Sequence, residues 1–281
     1  MNVMLDAGDQ IIVHSPFYQS LGEVARSIGA SVIEWKADPD CSWALDLGFL
    51  ENIITDKTKA VVVNFPHNPT GFLPTTEFMT ELSRLSDDKG FIVFSDEVYR
   101  GLEYDNRDPL PAFADLNEQA VSLGVMSKTY GLAGLRIGWL ATRNKDLFRS
   151  MAGFKDYTTI CNSAPSEFLA TLALKYREPI VDRNLNIIRE NLKALGSFFI
   201  KYSELFDWCK PKAGPIAFPQ YRGESVEQFC QKLVCDTGVL LLPGALYGVE
   251  DNCFRIGFGR ENMVDCLTRL EKFIEKGVLD I

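Results

Sequence analysis

Short apolar runs, rich in Val, Ile and Phe, recur through the first half of the chain and alternate with stretches in which apolar residues have a helical spacing. Runs of this length predict β-strands, because the buried strands of a parallel sheet are apolar on both faces. The predicted strands cover residues 10–14, 31–35, 60–64, 91–95, 120–126 and 135–142. Strands that alternate with helices predict an α/β fold, in which a mainly parallel sheet is sandwiched by helices.

Two amphipathic helices are predicted between these strands, over residues 17–28 and 75–89. In the second, Thr75 or Thr76 is a suitable N-cap and Gly90 ends the pattern. Ligands of such sheets bind beyond the carboxyl ends of the strands. Residues that directly follow a predicted strand are therefore the candidates for chemistry.

The pattern changes from about Tyr157. A long helical region is predicted from roughly 163 to 206, with a break near Pro179. Further elements are predicted as short strands over 216–218, 239–242 and 253–257, and as a helix from 263 to about 276. We therefore predict two domains, a large domain over residues 1–165 and a smaller C-terminal α+β domain over residues 166–281.

The composition of the 281 residues, 46% hydrophobic and 24% charged, is that of an ordinary globular protein. The formal net charge of −9 argues against nucleic acid and anionic membranes as partners, since both bind basic surfaces. No apolar run approaches the ~20 residues that a membrane span requires, and the first residues do not resemble a signal peptide. We expect a cytoplasmic protein without a nucleic-acid or membrane partner.

The number and spacing of the cysteines and histidines argue against several kinds of site. The seven cysteines, at positions 41, 161, 209, 230, 235, 253 and 266, are odd in number and include no Cys-x-x-Cys pair. This pattern predicts reduced thiols, with neither a disulfide framework nor a zinc site. The only histidines are His14 and His67, which argues against a histidine-based metal centre or catalytic triad.

The most informative segment runs from Val125 to Trp139. Lys128 follows the apolar run 121–126, a glycine-rich turn comes next, and Arg136 lies eight positions after the lysine. A lysine at a strand end beside a fixed cation is suited to form an imine with a carbonyl cofactor. The planar fork of an arginine suits a dianionic phosphate.

Four other segments carry polar or aromatic residues near strand ends. Asp96 comes directly after an apolar strand, and Tyr99 follows three residues later. Each segment taken alone has a structural interpretation, such as an acidic pair that ends a strand or an aromatic residue in a loop. The segments are Ser15-Pro16-Phe17-Tyr18, Asn64-Phe65-Pro66-His67-Asn68-Pro69-Thr70-Gly71, Ser95-Asp96-Glu97-Val98-Tyr99 and Cys253-Phe254-Arg255-Ile256-Gly257-Phe258-Gly259.

Taken together and in this order, the motifs resemble those of the class I/II aminotransferases, a fold-type I family that depends on pyridoxal phosphate (PLP). The octapeptide at 64–71 is the most specific match, since it follows the family signature Asn-x-Pro-x-Asn-Pro-Thr-Gly. The resemblance implies that Lys128 binds PLP covalently, that Asp96 contacts its ring nitrogen, and that Asn68 and Tyr99 contact its phenolic oxygen. It also implies that Tyr18 stacks on the PLP ring and that Arg136 and Ser127 bind its phosphate. Arg255 is implied to bind the α-carboxylate of the substrate.

These residue types fit the chemistry that PLP requires. A carboxylate beside the pyridine nitrogen keeps it protonated, because a nearby negative charge raises the pKa of a cation. An arginine pairs with a carboxylate through two charged hydrogen bonds, each worth roughly 1.5–3 kcal/mol. The resemblance implies a homodimeric enzyme that transfers an amino group between an amino acid and a 2-keto acid.

Two departures from the family pattern leave alternatives open. Val125 stands where the family often has a serine that contacts the phosphate. Residues 1–5 resemble the last turn of a helix, so we expect either a frayed helix or the absence of an upstream arm and phosphate loop, with weak PLP binding. The alternatives are another PLP reaction on the same fold (β-elimination, cyclisation or decarboxylation) or a catalytically inactive module. An NAD enzyme is unsupported, because the glycines lack the dinucleotide spacing.

Overall fold

The computed structural model describes residues 1–40, 42–105 and 109–277, so Cys41 lies outside the described part. The strands are β1 (Gln10–Ser15), β2 (Ser31–Lys36), β3 (Thr58–Asn64), β4 (Ile92–Asp96), β5 (Val121–Val125), β6 (Gly138–Ala141), β7 (Phe206–Asp207), β8 (Ile216–Ala217), β9 (Gln220–Tyr221), β10 (Leu242–Pro243) and β11 (Phe254–Gly257). The helices are α1 (Ser20–Ile28), α2 (Leu47–Ile53), α3 (Thr76–Lys89), α4 (Phe113–Leu116), α5 (Lys145–Asp156), α6 (Ala164–Lys175), α7 (Arg177–Lys201), α8 (Val226–Thr237) and α9 (Met263–Glu275).

The central sheet has six strands in the order β2-β1-β3-β4-β5-β6. The first five strands are parallel, and β6 pairs antiparallel with β5. Alternate side chains of β1 enter different cores: Ile11 and Val13 pack with α1 and α5, while Ile12 packs with α2 and α3. The predicted fold, a mainly parallel sheet between layers of helices, is confirmed.

The register of the sheet brings the ends of its strands together. Asn64, the last residue of β3, pairs with Asp96, the last residue of β4. Because β1, β3, β4 and β5 run in the same direction, the loops that follow them meet at one edge. This edge carries the sequence motifs described above.

The C-terminal part forms smaller antiparallel sheets, one of three strands in the order β10-β11-β8 and one that pairs β7 with β9. Helices α7, α8 and α9 pack over them around aromatic residues that include Phe206, Phe229 and Phe254. Phe218 and Tyr247 instead join the core cluster of α2 and α3. The two parts thus share a core, and the division at residue 165 stays a prediction.

Several predicted element boundaries differ from the structure. The strand expected over 135–142 begins only at Gly138, because a 3-10 helix (Ala133–Leu135) precedes it and Arg136 has a left-handed backbone with φ 55°. The long helix breaks at Tyr176 and not at Pro179, since proline is tolerated in the first turn of α7.

The first helix also starts later than predicted. The helix expected from residue 17 begins at Ser20, so that Tyr18 lies in the preceding loop. Residues 1–5 form a hydrogen-bonded turn, in which the amides of Met4 and Leu5 donate to the Met1 carbonyl. Within the described ranges, no helix combines the length and the apolar composition needed to cross a membrane.

Candidate active site

Lys128 lies in the turn that follows β5, beside the ends of β4 and β11. Its Nζ is 5.9 Å from the centre of the Tyr99 ring. Partial burial lowers the pKa of Lys128, and the charges of Arg255 and Arg136 lower it further, whereas Asp96 raises it. An amine with a lowered pKa is uncharged over more of the neutral pH range, and therefore more nucleophilic.

Asp96 is buried at the carboxyl end of β4. Its Oδ1 accepts a hydrogen bond from the Val98 amide at 3.2 Å. Burial raises the pKa of this carboxyl to about 6; the Val98 amide lowers it, Glu97 raises it and Lys128 lowers it. A buried carboxylate that is short of positive partners is suited to receive a cationic group of a ligand.

The adjacent acid, Glu97, has a different environment. It forms an ion pair with Arg100 at 3.0 Å, and it accepts hydrogen bonds from the Phe113 amide at 2.7 Å and the Ser122 hydroxyl at 2.6 Å. These partners satisfy both carboxylate oxygens inside the protein. Glu97 therefore connects β4 to α4 and β5, while Asp96 faces the site.

Asn64 connects the end of β4 to the turn that carries Asn68. Its Nδ2 donates to the Asp96 carbonyl at 2.7 Å, and its Oδ1 accepts from the Asn68 amide at 2.7 Å. The turn is closed by Gly71, whose amide donates to the His67 carbonyl at 2.9 Å. Asn68 and Asp96 are thereby fixed relative to each other by one side chain.

Arg255, on β11, reaches across to this turn. Its Nη1 donates to Asn68 Oδ1 at 3.1 Å, and its Cζ lies 5.6 Å from the centre of the Tyr247 ring. Burial raises the pKa of Tyr99 to about 12, and the Arg255 charge opposes that rise. The guanidinium thus lies between the side-chain amide of Asn68, in the turn after β3, and the buried ring of Tyr247, as in cation–π pairs.

The other predicted residues lie at the rim of this group. Tyr18 is 53% exposed, yet close enough that its phenol raises the pKa of both Tyr99 and Tyr247. Arg136 is exposed, and its Nη1 donates to the Ala133 carbonyl at 3.0 Å. Ser127 is half-buried directly before the lysine.

The structure therefore brings Asn68, Asp96, Tyr99, Lys128 and Arg255 into one group, through contacts or electrostatic coupling. Their chemical roles, and those of Tyr18, Ser127 and Arg136, stay predictions.

Sequence reasoning assigned no role to Asn64 or Tyr247. Asn64 could have been found, because it is the first residue of the octapeptide signature. Tyr247 has no such signal, since it reaches Arg255 only through the pairing of β10 with β11.

The described residues contain no group of three or more His, Cys, Asp or Glu side chains that could hold a metal ion. The cysteines within the same ranges are free thiols. The polar groups of the site are instead one amine, one buried carboxylate, amides, phenols and guanidinium groups. This set suits an organic cofactor with a carbonyl, a ring nitrogen and a phosphate.

Comparison with known proteins agrees with this geometry. The sequence profile of aminotransferase class I and II matches residues 1–269. Over 251 residues the chain is 32% identical to capreomycidine synthase of Streptomyces vinaceus. The alignment covers 89% of this chain and 64% of that protein. It is 29% identical over 280 residues to aspartate aminotransferase of Thermotoga maritima, with 96% of this chain and 71% of that protein covered.

Solved structures show the same relationship. The crystal structure of a PLP-dependent aminotransferase from Streptococcus suis 89-1591 superimposes with a TM-score of 0.91 at 30% identity, and the match covers 98% of this chain and 73% of that chain. The chain thus spans about two thirds to three quarters of the length of these relatives. With a family profile matched over nearly its whole length, the chain belongs to the PLP-dependent class I and II aminotransferases.

Proposed function

We propose that this protein uses PLP to transfer an amino group between an amino acid and a 2-keto acid. The observation that carries the proposal is the convergence of Lys128, Asp96 and Arg255, whose charges are coupled at the carboxyl edge of the sheet. Each group supplies something different to the reaction: Lys128 supplies an amine, Asp96 a carboxylate for a cationic ring, and Arg255 a binding group for a carboxylate.

The residues fit the cofactor. Asp96 has a raised pKa because it is buried, and a protonated ring nitrogen beside it would relieve that burial cost. Asn68 and Tyr99 supply an amide and a phenol within the same group, and Tyr18 supplies an exposed aromatic ring. When bound, PLP supplies a sink for the electron pair that is left when a bond to the substrate Cα breaks.

Lys128 would hold the cofactor covalently and, once released by the substrate, move the proton at Cα. Its lowered pKa supports this role, since an amine must be uncharged to accept a proton. Positioned proton transfer of this kind typically contributes about 10²–10⁴-fold to the rate.

Arg255 would bind the α-carboxylate of the substrate. Its contacts with Asn68 and Tyr247 leave the planar guanidinium in a fixed orientation. A fixed fork favours one direction of approach by the carboxylate, and so it orients Cα relative to Lys128.

Arg136 and Ser127 would hold the cofactor phosphate. Both lie close to Lys128 in the chain, and the charge of Arg136 influences the pKa of Lys128. The left-handed backbone at Arg136 is unusual for a residue other than glycine, and such geometry is concentrated at functional sites.

A second candidate is another PLP reaction on the same scaffold, namely β-elimination, cyclisation or decarboxylation. The 32% identity to a protein named capreomycidine synthase supports this alternative. Because scaffold and cofactor are shared, the contacts to the substrate side chain decide between the reactions.

We further propose that the enzyme is a cytoplasmic homodimer, as is typical of the family. Exposed apolar side chains are concentrated on α5 and α6, where Phe148 and Phe168 are more than half exposed. Exposed apolar patches of this kind mark surfaces that other proteins cover. Free thiols in the described part of the chain fit a reducing compartment.

The proposal is tested by loading the purified protein with PLP and offering it a panel of amino acids with 2-oxoglutarate. We expect keto acid and glutamate to form in equal amounts, and we expect Lys128→Ala to form neither. Lys155→Ala, at a half-buried lysine of α5, serves as the matched control. Release of ammonia or carbon dioxide, without glutamate, would favour the second candidate. No product from any amino acid would contradict both.

A further inference from the structure

The two histidines of the chain lie together in the protein interior, directly behind the candidate site. His14 and His67 are each 1% exposed. Their rings are stacked, with centroids 3.6 Å apart and planes 15° from parallel. This is close contact for two polar rings, and neither histidine has a role in the function proposed above.

Each histidine belongs to a segment that carries a candidate cofactor residue. His14 is the penultimate residue of β1 and directly precedes residues 15–18, here called the Tyr18 loop. His67 directly precedes Asn68 in residues 66–71, here called the Asn68 turn. The stack is therefore a direct contact between the strand residue that precedes the Tyr18 loop and a residue of the Asn68 turn.

His67 is anchored within its own turn. Its Nδ1 lies 2.7 Å from Thr70 Oγ1, and its amide donates to the Phe72 carbonyl at 2.9 Å. His14 is enclosed by aromatic rings, with Phe65 at 5.5 Å and Phe72 at 6.3 Å between centroids. Neither ring nitrogen of His14 has a hydrogen-bond partner among the described residues. His14 thus acts through its ring face, and His67 acts through both its face and its nitrogen.

Both rings are held in the neutral form. Burial lowers the pKa of His67 to about 3, and the Pro16 carbonyl raises it by less. Burial lowers the pKa of His14 well below its usual range, and a second proton is further disfavoured by the neighbouring His67 ring. Two cations could not stack in this way, so neutrality keeps the contact intact at neutral pH.

We propose that the His14–His67 stack is a positioning pair that fixes the Tyr18 loop against the Asn68 turn, and so sets how Tyr18 and Asn68 face the PLP ring. This inference rests on the proposed function for its consequence. The contact between the Tyr18 loop and the Asn68 turn does not depend on the proposed function.

The link is tested first in the protein without PLP, by hydrogen exchange of peptides that cover the two segments. His14→Leu removes the ring face from β1 but leaves His67 unchanged. We expect exchange to rise in the Asn68 turn as well as in the Tyr18 loop, and we expect His14→Phe, which restores an aromatic face, to return both towards the wild type. A rise confined to the Tyr18 loop would overturn the proposal.

The consequence is tested by PLP titration and by the circular dichroism of the bound cofactor, which reports its orientation. An aromatic pair or one hydrogen bond is worth roughly threefold to tenfold in an equilibrium, so we expect His14→Leu and His67→Phe each to weaken PLP binding about that much and to change the dichroic band. His14→Phe should stay within about threefold of the wild type. If His14→Leu does not fold, His67→Leu removes the ring stack from the other side and provides the same two readouts.

The control is Phe113→Leu, which removes aromatic volume from the core around Phe65 without altering either segment. If the histidine variants lower the melting temperature like this control but leave PLP affinity and dichroism unchanged, the pair is an ordinary core contact and the proposal is wrong. If the wild type itself binds no PLP, the proposed function fails, while the exchange experiment still decides the link.

Discussion

At the residue scale, Asp96 has the most distinctive environment of the site, because it is a buried carboxylate with few partners. Asp96→Asn removes the charge that would keep the cofactor ring nitrogen protonated, while preserving shape. Loss of one preorganised electrostatic group typically costs about 10²–10³-fold in rate, so we expect Cα–H cleavage to slow by about that much. Single-turnover kinetics with deuterated and protonated substrate measures it. A variant with a raised KM and an unchanged rate of cleavage would contradict the role.

Asp96 should also make the stability of the protein depend on pH. Its pKa of about 6 in the folded protein lies above the ordinary 3.8, so ionisation of the buried group opposes folding. Without PLP, stability should therefore fall as the pH rises from about 4 to about 6. A protonated ring nitrogen beside Asp96 reverses this preference, so the increase in melting temperature on adding PLP should be larger at pH 7.5 than at pH 5. Asp96→Asn should abolish that difference, and its persistence in the variant would assign it to another group.

Arg255 gives a contrasting prediction. Arg255→Lys keeps the charge but removes the planar fork, so one of two charged hydrogen bonds to a substrate carboxylate is lost. At roughly 1.5–3 kcal/mol, this should raise KM by about tenfold to a hundredfold with little change in kcat. The exposed Arg260→Lys is the control. A fall in kcat at constant KM would show that Arg255 acts on the chemical step.

The site could be predicted from the sequence where a motif carried it. Lys128, Asp96, Asn68 and Arg255 are all in short segments with unusual residue order, and the structure places them in one group. Tyr247 could not be found in this way, because its contact with Arg255 depends on strand pairing far along the chain.

At the element scale, the Asn68 turn depends on a glycine that has no room for a side chain. Gly71 has φ +72°, and a Cβ there would lie 2.3 Å from Pro211 Cβ and 2.9 Å from the Ile216 carbonyl oxygen. We expect Gly71→Ala to lower the free energy of unfolding by about 1–2 kcal/mol for the left-handed backbone, and by about 1–3 kcal/mol more for the overlap. Urea unfolding measures this.

Gly90→Ala separates the two contributions. Gly90 has φ +76° at the end of α3, but nothing lies within 4 Å of its added Cβ. It should therefore show only the backbone cost. If Gly71→Ala and Gly90→Ala lower the free energy of unfolding equally, the turn can move away from Pro211 at no cost.

Elements were predicted best where burial follows the sequence pattern. The strands of the parallel sheet are apolar on both faces and were found within one or two residues at most ends. Helix α5 was not predicted, since Leu147 is its only buried residue and Phe148 and Phe154 are exposed. Helix α8 was also omitted, although its sequence has a signal: Ser225 caps it, and its apolar positions repeat at intervals of three and four.

At the scale of the whole molecule, the apolar surface of α5 and α6 bears on assembly. Phe168 is 70% exposed on α6. We expect the wild type to have twice the chain mass of 31.5 kDa in light scattering, and we expect Phe168→Glu to shift it towards one chain because a charge opposes burial. Ile200→Glu, at a residue that is 78% exposed on α7, is the control. A wild type of one chain mass at micromolar concentration would contradict the homodimer.

The proposed function depends above all on the covalent binding of PLP by Lys128. It is tested most directly by loading the protein with PLP, reducing it with borohydride and mapping the labelled peptide by mass spectrometry. We expect one pyridoxyl group, attached to Lys128, and none on Lys128→Ala. A label on Lys145 or Lys155, or no label at all, would contradict it.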